Sequence, residues 1–325
     1  MAVVTLDQIE DLSFRALTRH GAANWVAREV ARAVRRAEQT GNVICGLYYL
    51  ESYCTQLASG RVKGDVEPEV TRPRPGSVKA DAKFGFAQAA FARALPDAIA
   101  AARENGTASL AVAHAHTCTS LGFFTEQIAA AGLMAIGFTN ASPVVAPPGG
   151  NARVIGTNPI AMSVPGADGS VAMHFDFSTS AVALGKITMA KAAGEAIPLG
   201  WAVDADGEPT TDPEAALAGA LVSVGGYKGW GFGLMAEMLA AGMTGSVNSL
   251  DVGGLKLPDG PPHGLGQFYM IMDPGTYTDS FAERFARVAD AVAEQPGARL
   301  PGAARAEASE VQVADSLWET LSALT

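Results

Sequence analysis

Val171-Ala172-Met173-His174-Phe175-Asp176-Phe177-Ser178-Thr179-Ser180 begins as an apolar run and ends in a carboxylate and three small hydroxyl residues. A run of this length closed by a polar cluster reads as a buried strand whose end emerges at a site. Ser178, Thr179 and Ser180 offer hydroxyl and backbone N–H donors to a phosphate or carboxylate. Ala181 to Met189 reads as a helix start, and helix N-termini favour anions. Upstream stands Gly156-Thr157-Asn158-Pro159; downstream stands Gly225-Gly226-Tyr227-Lys228-Gly229, whose lysine can bring a mobile positive charge. Each piece alone is an ordinary strand, cap or surface lysine. Three on one chain point to a ligand site.

Outward from this stretch, helices and strands alternate. A helix is expected over Phe86 to Arg103, a strand over Leu110 to Ala113, a helix over Leu121 to Ala131 and a strand over Leu133 to Phe138. Ile160 to Val164 and Val171 to Phe175 flank a Gly-Ala-Asp-Gly turn. Such alternation predicts a layered α/β core. The first 60 residues read as three helices: from Thr5 with Gln8 as a capping box, over Trp25 to Gln39, and over Leu47 to Leu57. Pro68, Pro73 and Pro75 mark an extended connection. Further helices are expected over Gly229 to Ala241, Phe281 to Glu294 and Ser309 to Leu324, and a strand over Gln267 to Met272. Gly253 to Gly266 reads as an ordered surface loop, and Gly297 to Ala306 as a second loop. The expected division is a core over 71–274 and a helical unit of 1–70 joined by 275–325.

The 325 residues are 48% apolar and 17% charged, enough for a large buried core. A net charge of −10 without a basic run argues against a nucleic-acid surface. No stretch approaches the roughly 18 apolar residues of a membrane span, and the start lacks a signal-peptide pattern. Three cysteines, Cys45, Cys54 and Cys118, fit reduced thiols. The expectation is a cytoplasmic protein.

No Gly-x-Gly-x-x-Gly follows a strand, so an ordinary Rossmann site is not predicted; the Walker loop and the nucleophile elbow are also missing. His114 and His116 would share one face of an extended chain, but no third ligand stands at a telling spacing, and no metal is predicted. His116 is a candidate proton donor, or else a packed imidazole. Cys45 precedes a helix, where a thiol can become reactive. Cys54 reads as core; His20 and His263 read as bystanders.

Taken together, Thr139-Asn140-Ala141-Ser142-Pro143, Gly156-Thr157-Asn158-Pro159-Ile160-Ala161, Asp176-Phe177-Ser178-Thr179-Ser180-Ala181, Pro198-Leu199-Gly200-Trp201-Ala202, Pro209-Thr210-Thr211-Asp212-Pro213 and Gly225-Gly226-Tyr227-Lys228-Gly229 resemble the malate/L-lactate dehydrogenase family of the non-Rossmann type. The motifs run in order over about Thr5 to Ala306. The resemblance implies an oxidoreductase using NAD or NADP on a small 2-oxo or cyclic 2-imino carboxylic acid. It also implies a homodimer, with a non-Rossmann nicotinamide-binding sheet and a helical domain built from both chain ends. It places cofactor contacts at Asn140, Ala141, Asp176, Ser178, Thr179, Ser180, Lys228 and Gly302.

The departures from the family fall on the other half. A Ser-His-Gly stretch is here Ile44-Cys45-Gly46, the arginine that follows is Tyr49, and a second histidine falls at Thr117 beside His116. Cys45, His116 and Asp176 are therefore the catalytic candidates, and Tyr49 and Thr117 line the substrate side. A ketone needs a proton on its developing alkoxide, whereas a cyclic imine arrives protonated, so these losses favour an imine. The alternative is a nicotinamide-binding protein that has lost the chemistry and acts as a sensor.

Overall fold

The computed structural model describes residues 1–303 and 308–325; the end of the second predicted loop, 304–306, lies outside the described residues. The chain opens with strand β1 (Ala2–Thr5) and helices α1 (Leu6–Arg19) and α2 (Asn24–Gln39). The capping box forms: Gln8 N–H donates to Thr5 Oγ1 at 3.2 Å and Thr5 N–H to Gln8 Oε1 at 2.8 Å. Two donors that a bare helix start leaves open are thereby satisfied. The third helix starts later than its apolar pattern predicts. Val43–Cys45 and Leu47–Tyr49 are single 3-10 turns, and α3 runs Leu50–Ser59 to a left-handed Gly60.

The proline-marked connection is not a bare linker but an edge hairpin, β2 (Glu69–Arg74) and β3 (Ser77–Asp81). Proline is tolerated there because an edge strand need not donate on its outer side. Then follow α4 (Ala87–Asn105), β4 (Thr107–Ala115), α5 (Gly122–Ala130), β5 (Met134–Thr139), β6 (Ile160–Pro165) and β7 (Val171–Phe177). Next come α6 (Leu184–Ala193), β8 (Ala202–Val203), β9 (Pro209–Thr210), α7 (Pro213–Ala218), β10 (Ala220–Leu221) and α8 (Tyr227–Glu237). The chain closes with β11 (Leu265–Met272), α9 (Phe281–Ala293), β12 (Glu310–Val313) and α10 (Asp315–Ser322).

Seven strands form the central sheet in the order β2-β3-β4-β11-β5-β6-β7. Only β3 and β4 pair in parallel in this sheet, joined by a crossover through α4; every other pair of neighbours is antiparallel. The helix expected from Ser309 begins instead as β12, which pairs with β1 and ties the two chain ends together. On one face of the sheet α4 packs with Ala87, Ala90, Ala94, Ala98 and Ala101, small residues that let helix and sheet approach closely; Phe91 and Phe124 fill the gap to Tyr269. On the other face Ala236 of α8 meets Phe138, Ile160 and Phe268. A separate apolar cluster joins α1, α2 and α3 to β1 and β12. The loop over 253–264 is ordered, as expected, and the reason is α3 and the turn after it. Arg61 donates to the carbonyls of Gly254, Leu257 and Pro261, Gln56 to Leu255 and Ser59 to Pro258.

Candidate active site

The three sequence motifs that flank β7 meet in space. Thr179 N–H and Oγ1 donate to Thr157 O at 2.9 and 3.1 Å, and Val224 N–H donates to Thr179 O at 2.9 Å. Asn158, in the left-handed region at φ 34, donates to Gly233 O at 3.1 Å and to the buried Glu237 Oε2 at 2.8 Å. Glu237 also accepts from the N–H and hydroxyl of Ser249 at 2.7 and 2.5 Å. A carboxylate that fills its acceptor sites in this way locks α8 to the strand ends.

The Ser178 to Ser180 cluster does not cap a helix, because α6 starts only at Leu184, behind Ala183 with no side-chain cap. Its hydroxyls serve the fold instead: Ser178 bonds Ser180, Ser180 donates to Val182 O, and Thr179 reaches Asn158 O as well. The anion-friendly geometry lies one turn away. Gly225 and Gly226 are both left-handed, at φ 62 and 63, a conformation that side-chain-bearing residues avoid. They open α8, whose first turn carries Lys228, exposed and without a carboxylate partner among the described residues. At the foot of this turn Ser223 Oγ is buried and has no hydrogen-bond partner among the described residues. Backbone N–H groups and a free ammonium at a helix start fit a phosphate.

Asn140, expected at the cofactor, uses its side chain inside the fold, donating to Val247 O at 2.9 Å and accepting from Gly266 N–H at 3.0 Å. Ala141 packs its carbonyl against Gly156. Gly302 lies on β7: a side chain there would press within 2.3 Å of His174 O. Asp176, at the end of β7, accepts from Gly122 N–H at 2.8 Å and from Ser120 Oγ at 3.2 Å.

The substrate-side candidates gather around two phenols. Tyr49 and Tyr53 stand one helical turn apart with ring centroids at 5.8 Å, and both lie within electrostatic reach of Cys45 and Cys118. Cys118 in turn lies near Asp176, Thr139 and Gln267. Burial pushes the Tyr49 and Tyr53 phenols up, Tyr53 well above its usual range, and pushes the Cys118 thiol up to about 12. Thr119, a β-branched residue at φ 60, turns the chain between Cys118 and Ser120. Such a conformation is unfavourable and is commonly held at functional turns. The Tyr53 and Tyr269 hydroxyls and both polar atoms of Gln267 are buried; Thr119 stands beside the Tyr53 phenol and Gln267 beside the Cys118 thiol, while the Tyr269 hydroxyl has no partner among the described residues. Ile44 and Tyr48, which bracket Cys45, line a cavity of about 280 Å³ whose opposite wall is Gly185, Thr188 and Met189 of α6.

His116 is corrected from proton donor to packed imidazole. It is 2% exposed, donates from Nε2 to Gln56 Oε1 at 2.7 Å, and meets the rings of Tyr53 and Phe86. Gln56 gives its own amide hydrogens to Ser52 and Leu255, so its oxygen must be the acceptor. Nor is His263 a bystander. It stacks on His116 at 4.1 Å and accepts from Thr117 N–H at 3.2 Å. Burial, then the Arg61 charge, lowers its pKa to about 3; burial, then His263 and Arg61, lowers that of His116 well below the usual range. The pair is neutral, and it fixes the backbone of Thr117.

His114 does not share a face with His116, because its φ of 49 breaks the strand alternation and sends it to Asp81 at 3.1 Å. Among the described residues no group of three His, Cys, Asp or Glu side chains could hold a metal ion, and no helix is long and apolar enough to cross a membrane. Cys54 is buried core. Sequence reasoning passed over Tyr53, Cys118, Gln267, Glu237 and His263. For Tyr53 a signal was present, since it follows Tyr49 at the i,i+4 spacing.

A family model described as malate/L-lactate dehydrogenase matches residues 4–322. A (2R)-3-sulfolactate dehydrogenase (NADP(+)) from Chromohalobacter salexigens is 40% identical, with 93% of this chain and 90% of that protein covered. A Delta(1)-pyrroline-2-carboxylate/Delta(1)-piperideine-2-carboxylate reductase from Pseudomonas aeruginosa is 37% identical, with 98% and 96% covered. The crystal structure of a delta1-piperideine-2-carboxylate reductase from Pseudomonas syringae superposes with a TM-score of 0.93 at 34% identity, over the whole of both chains.

Proposed function

Because the chain belongs to the malate/L-lactate dehydrogenase family, an NAD(P)-dependent oxidoreductase of small 2-oxo or cyclic 2-imino carboxylic acids, we propose that its own substrate is a cyclic imino acid. Bound NAD(P)H supplies the hydride. A new C–H bond forms at C2 while the π pair of the C=N⁺ bond becomes the nitrogen lone pair, so no further proton is required. A 2-oxo acid would need a proton on its alkoxide oxygen, and the family's two histidine slots do not supply one here. His116 is packed and neutral, Thr117 stands at the second histidine slot, and the Cys118 thiol is held at about 12. The burial of His116 as a hydrogen-bonded, neutral ring is the observation that carries the reading.

In this proposal Gly225, Gly226 and Lys228 receive a cofactor phosphate, with Ser178, Thr179, Ser180, Asn140, Ala141 and Gly302 shaping the wall. Asp176 orients the reacting end. Cys45, Tyr49 and Thr117 line the substrate. The test is NADH and NADPH absorbance over Δ1-pyrroline-2-carboxylate, Δ1-piperideine-2-carboxylate, pyruvate and 3-sulfopyruvate. Imine turnover should exceed oxo-acid turnover and fall as pH rises past the imine pKa. Faster turnover of an oxo acid would sink the imine reading, and no cofactor use with any substrate would favour the sensor alternative.

The same proposal includes a cytoplasmic homodimer and a division into a core over 71–274 and a helical unit from both ends. Two apolar surfaces support the dimer. Phe232, Met235, Met238 and Met243 are exposed along α8 and the turn after it, and α9 buries none of its residues although Phe281, Phe285, Val288 and Val292 form a stripe. Stripes of this kind ordinarily face a partner. Light scattering should give twice the 33.4 kDa chain mass, and native-state hydrogen exchange should resolve the two units as separately opening blocks.

A further inference from the structure

Resting on that reading, we propose that Lys256 is the cation that receives the carboxylate of the substrate. A small carboxylic acid needs a positive partner at the substrate end of the site, and the two arginines on that side are already committed. Arg36 is committed to Glu126 through two bonds of 2.8 and 3.1 Å. Arg61 is buried and spends its guanidinium on the carbonyls of Gly254, Leu257 and Pro261. Lys256 is different. Its ammonium stands 3.5 Å from the centroid of the Tyr48 ring and 5.3 Å from that of Tyr49. It donates only to Tyr48 O, at 3.3 Å, and no carboxylate pairs with it among the described residues.

Two features make this more than a surface lysine. Its loop is fixed, since Leu255 O accepts from Gln56 and the carbonyls of Gly254 and Leu257 accept from Arg61. The side chain is held as well: Tyr48 and Tyr49 meet edge to face at 5.9 Å and present ring surface to the ammonium, a seat that attracts a cation without neutralising it. The charge thus sits on Tyr48 and 5.3 Å from the ring of Tyr49, which in turn meets Tyr53 and has Cys45 and Cys118 in its surroundings. Ser120, two residues beyond Cys118, donates to the Asp176 carboxylate at 3.2 Å. The cluster is bracketed by a cation at the Tyr49 end and an anion at the Asp176 end. A protonated cyclic imino acid carries the complementary pair, a carboxylate at one end and an iminium at the other. The arrangement therefore selects a zwitterion by position and not by a paired arginine fork.

The test uses the full chain loaded with NADP⁺ and titrated with pyrrole-2-carboxylate, a flat ring acid that cannot be reduced, and with the uncharged pyrrole-2-carboxamide. Lys256→Met keeps the stem over the rings and removes the charge. It should weaken the carboxylate by about 10- to 100-fold, the loss of one charge-assisted contact, and leave the carboxamide unchanged. Lys256→Arg should restore most of the affinity. With a turned-over imine, Lys256→Met should raise KM by a similar factor while kcat moves by less than about threefold. Equal carboxylate affinity in wild type and Lys256→Met overturns the assignment, as does equal weakening of acid and amide. Failure of the wild type to oxidise NADPH with any imine, while the charge-dependent affinity remains, refutes the reductase reading and leaves the carboxylate site standing.

Discussion

The two halves of the site are built by different means. Around Asn158, Thr179 and Gly225 the chain is joined by short backbone-centred bonds and by a buried carboxylate, Glu237, with three donors. Around Tyr49 the surface is made of side chains from α3, the turn after β4 and the loop before β11, and several of its polar atoms are buried. The first half is over-determined and can tolerate little change. The second is held mainly by packing and can exchange side chains without losing the fold. Cys45, Tyr49 and Thr117, the departures from the family pattern, all fall in this second half.

Breaking the rigid half should cost most. Glu237→Leu leaves the Asn158 amide, Ser249 N–H and Ser249 hydroxyl without their acceptor, and stability should fall by about 3–5 kcal/mol. Denaturant midpoints at constant m-value measure this; a loss below about 1 kcal/mol would show that water replaces the carboxylate readily. A smaller effect is expected at the exposed edge of the same half. Lys228→Met should weaken NADPH or NADH by about 1–3 kcal/mol in titration calorimetry with the fold intact. Unchanged affinity would remove Lys228 from the site.

The second half has a weaker and pH-dependent signature. The folded His263 pKa, about 3, lies below the unfolded value near 6.5, and that of His116 is lowered in the same direction. Between those values the unfolded chain binds the extra protons. The His263 contribution is therefore complete above about pH 6.5 and is lost as pH falls toward 3, at about 1.4 kcal/mol per pH unit, and His116 acts in the same direction. Replacing His263 by Phe should remove one proton from this slope between pH 6 and 4. A variant with the wild-type slope would mean that the pair is not neutral in the fold.

Much of the frame was legible. The capping box at Thr5, the β6–β7 hairpin and the left-handed stop at Gly60 depend on neighbours a few residues apart, and local chemistry decides them. Strand β12 and the true start of α6 were not legible, because β12 exists only through its ladder with β1, some 300 residues away. The motifs around Asp176 pointed to a site for a phosphate or carboxylate, and the resemblance to the family added the expectation of a nicotinamide cofactor. They did not tell which hydroxyls the fold would consume for itself. Whether a histidine is a proton donor or a packed ring depends on what surrounds it in three dimensions. Gln56, Phe86 and His263, from three separate segments, bury His116 and hold it neutral. The placing of Lys256 over Tyr48 and Tyr49 is likewise tertiary, joining residues about 200 positions apart through a loop that Arg61 holds in shape. Sequence alone determined the capping box, the β6–β7 hairpin and the helix stop at Gly60, whose energies are local. Only the tertiary structure decided which charges remained free to meet a substrate, because burial and pairing are set by distant parts of the chain.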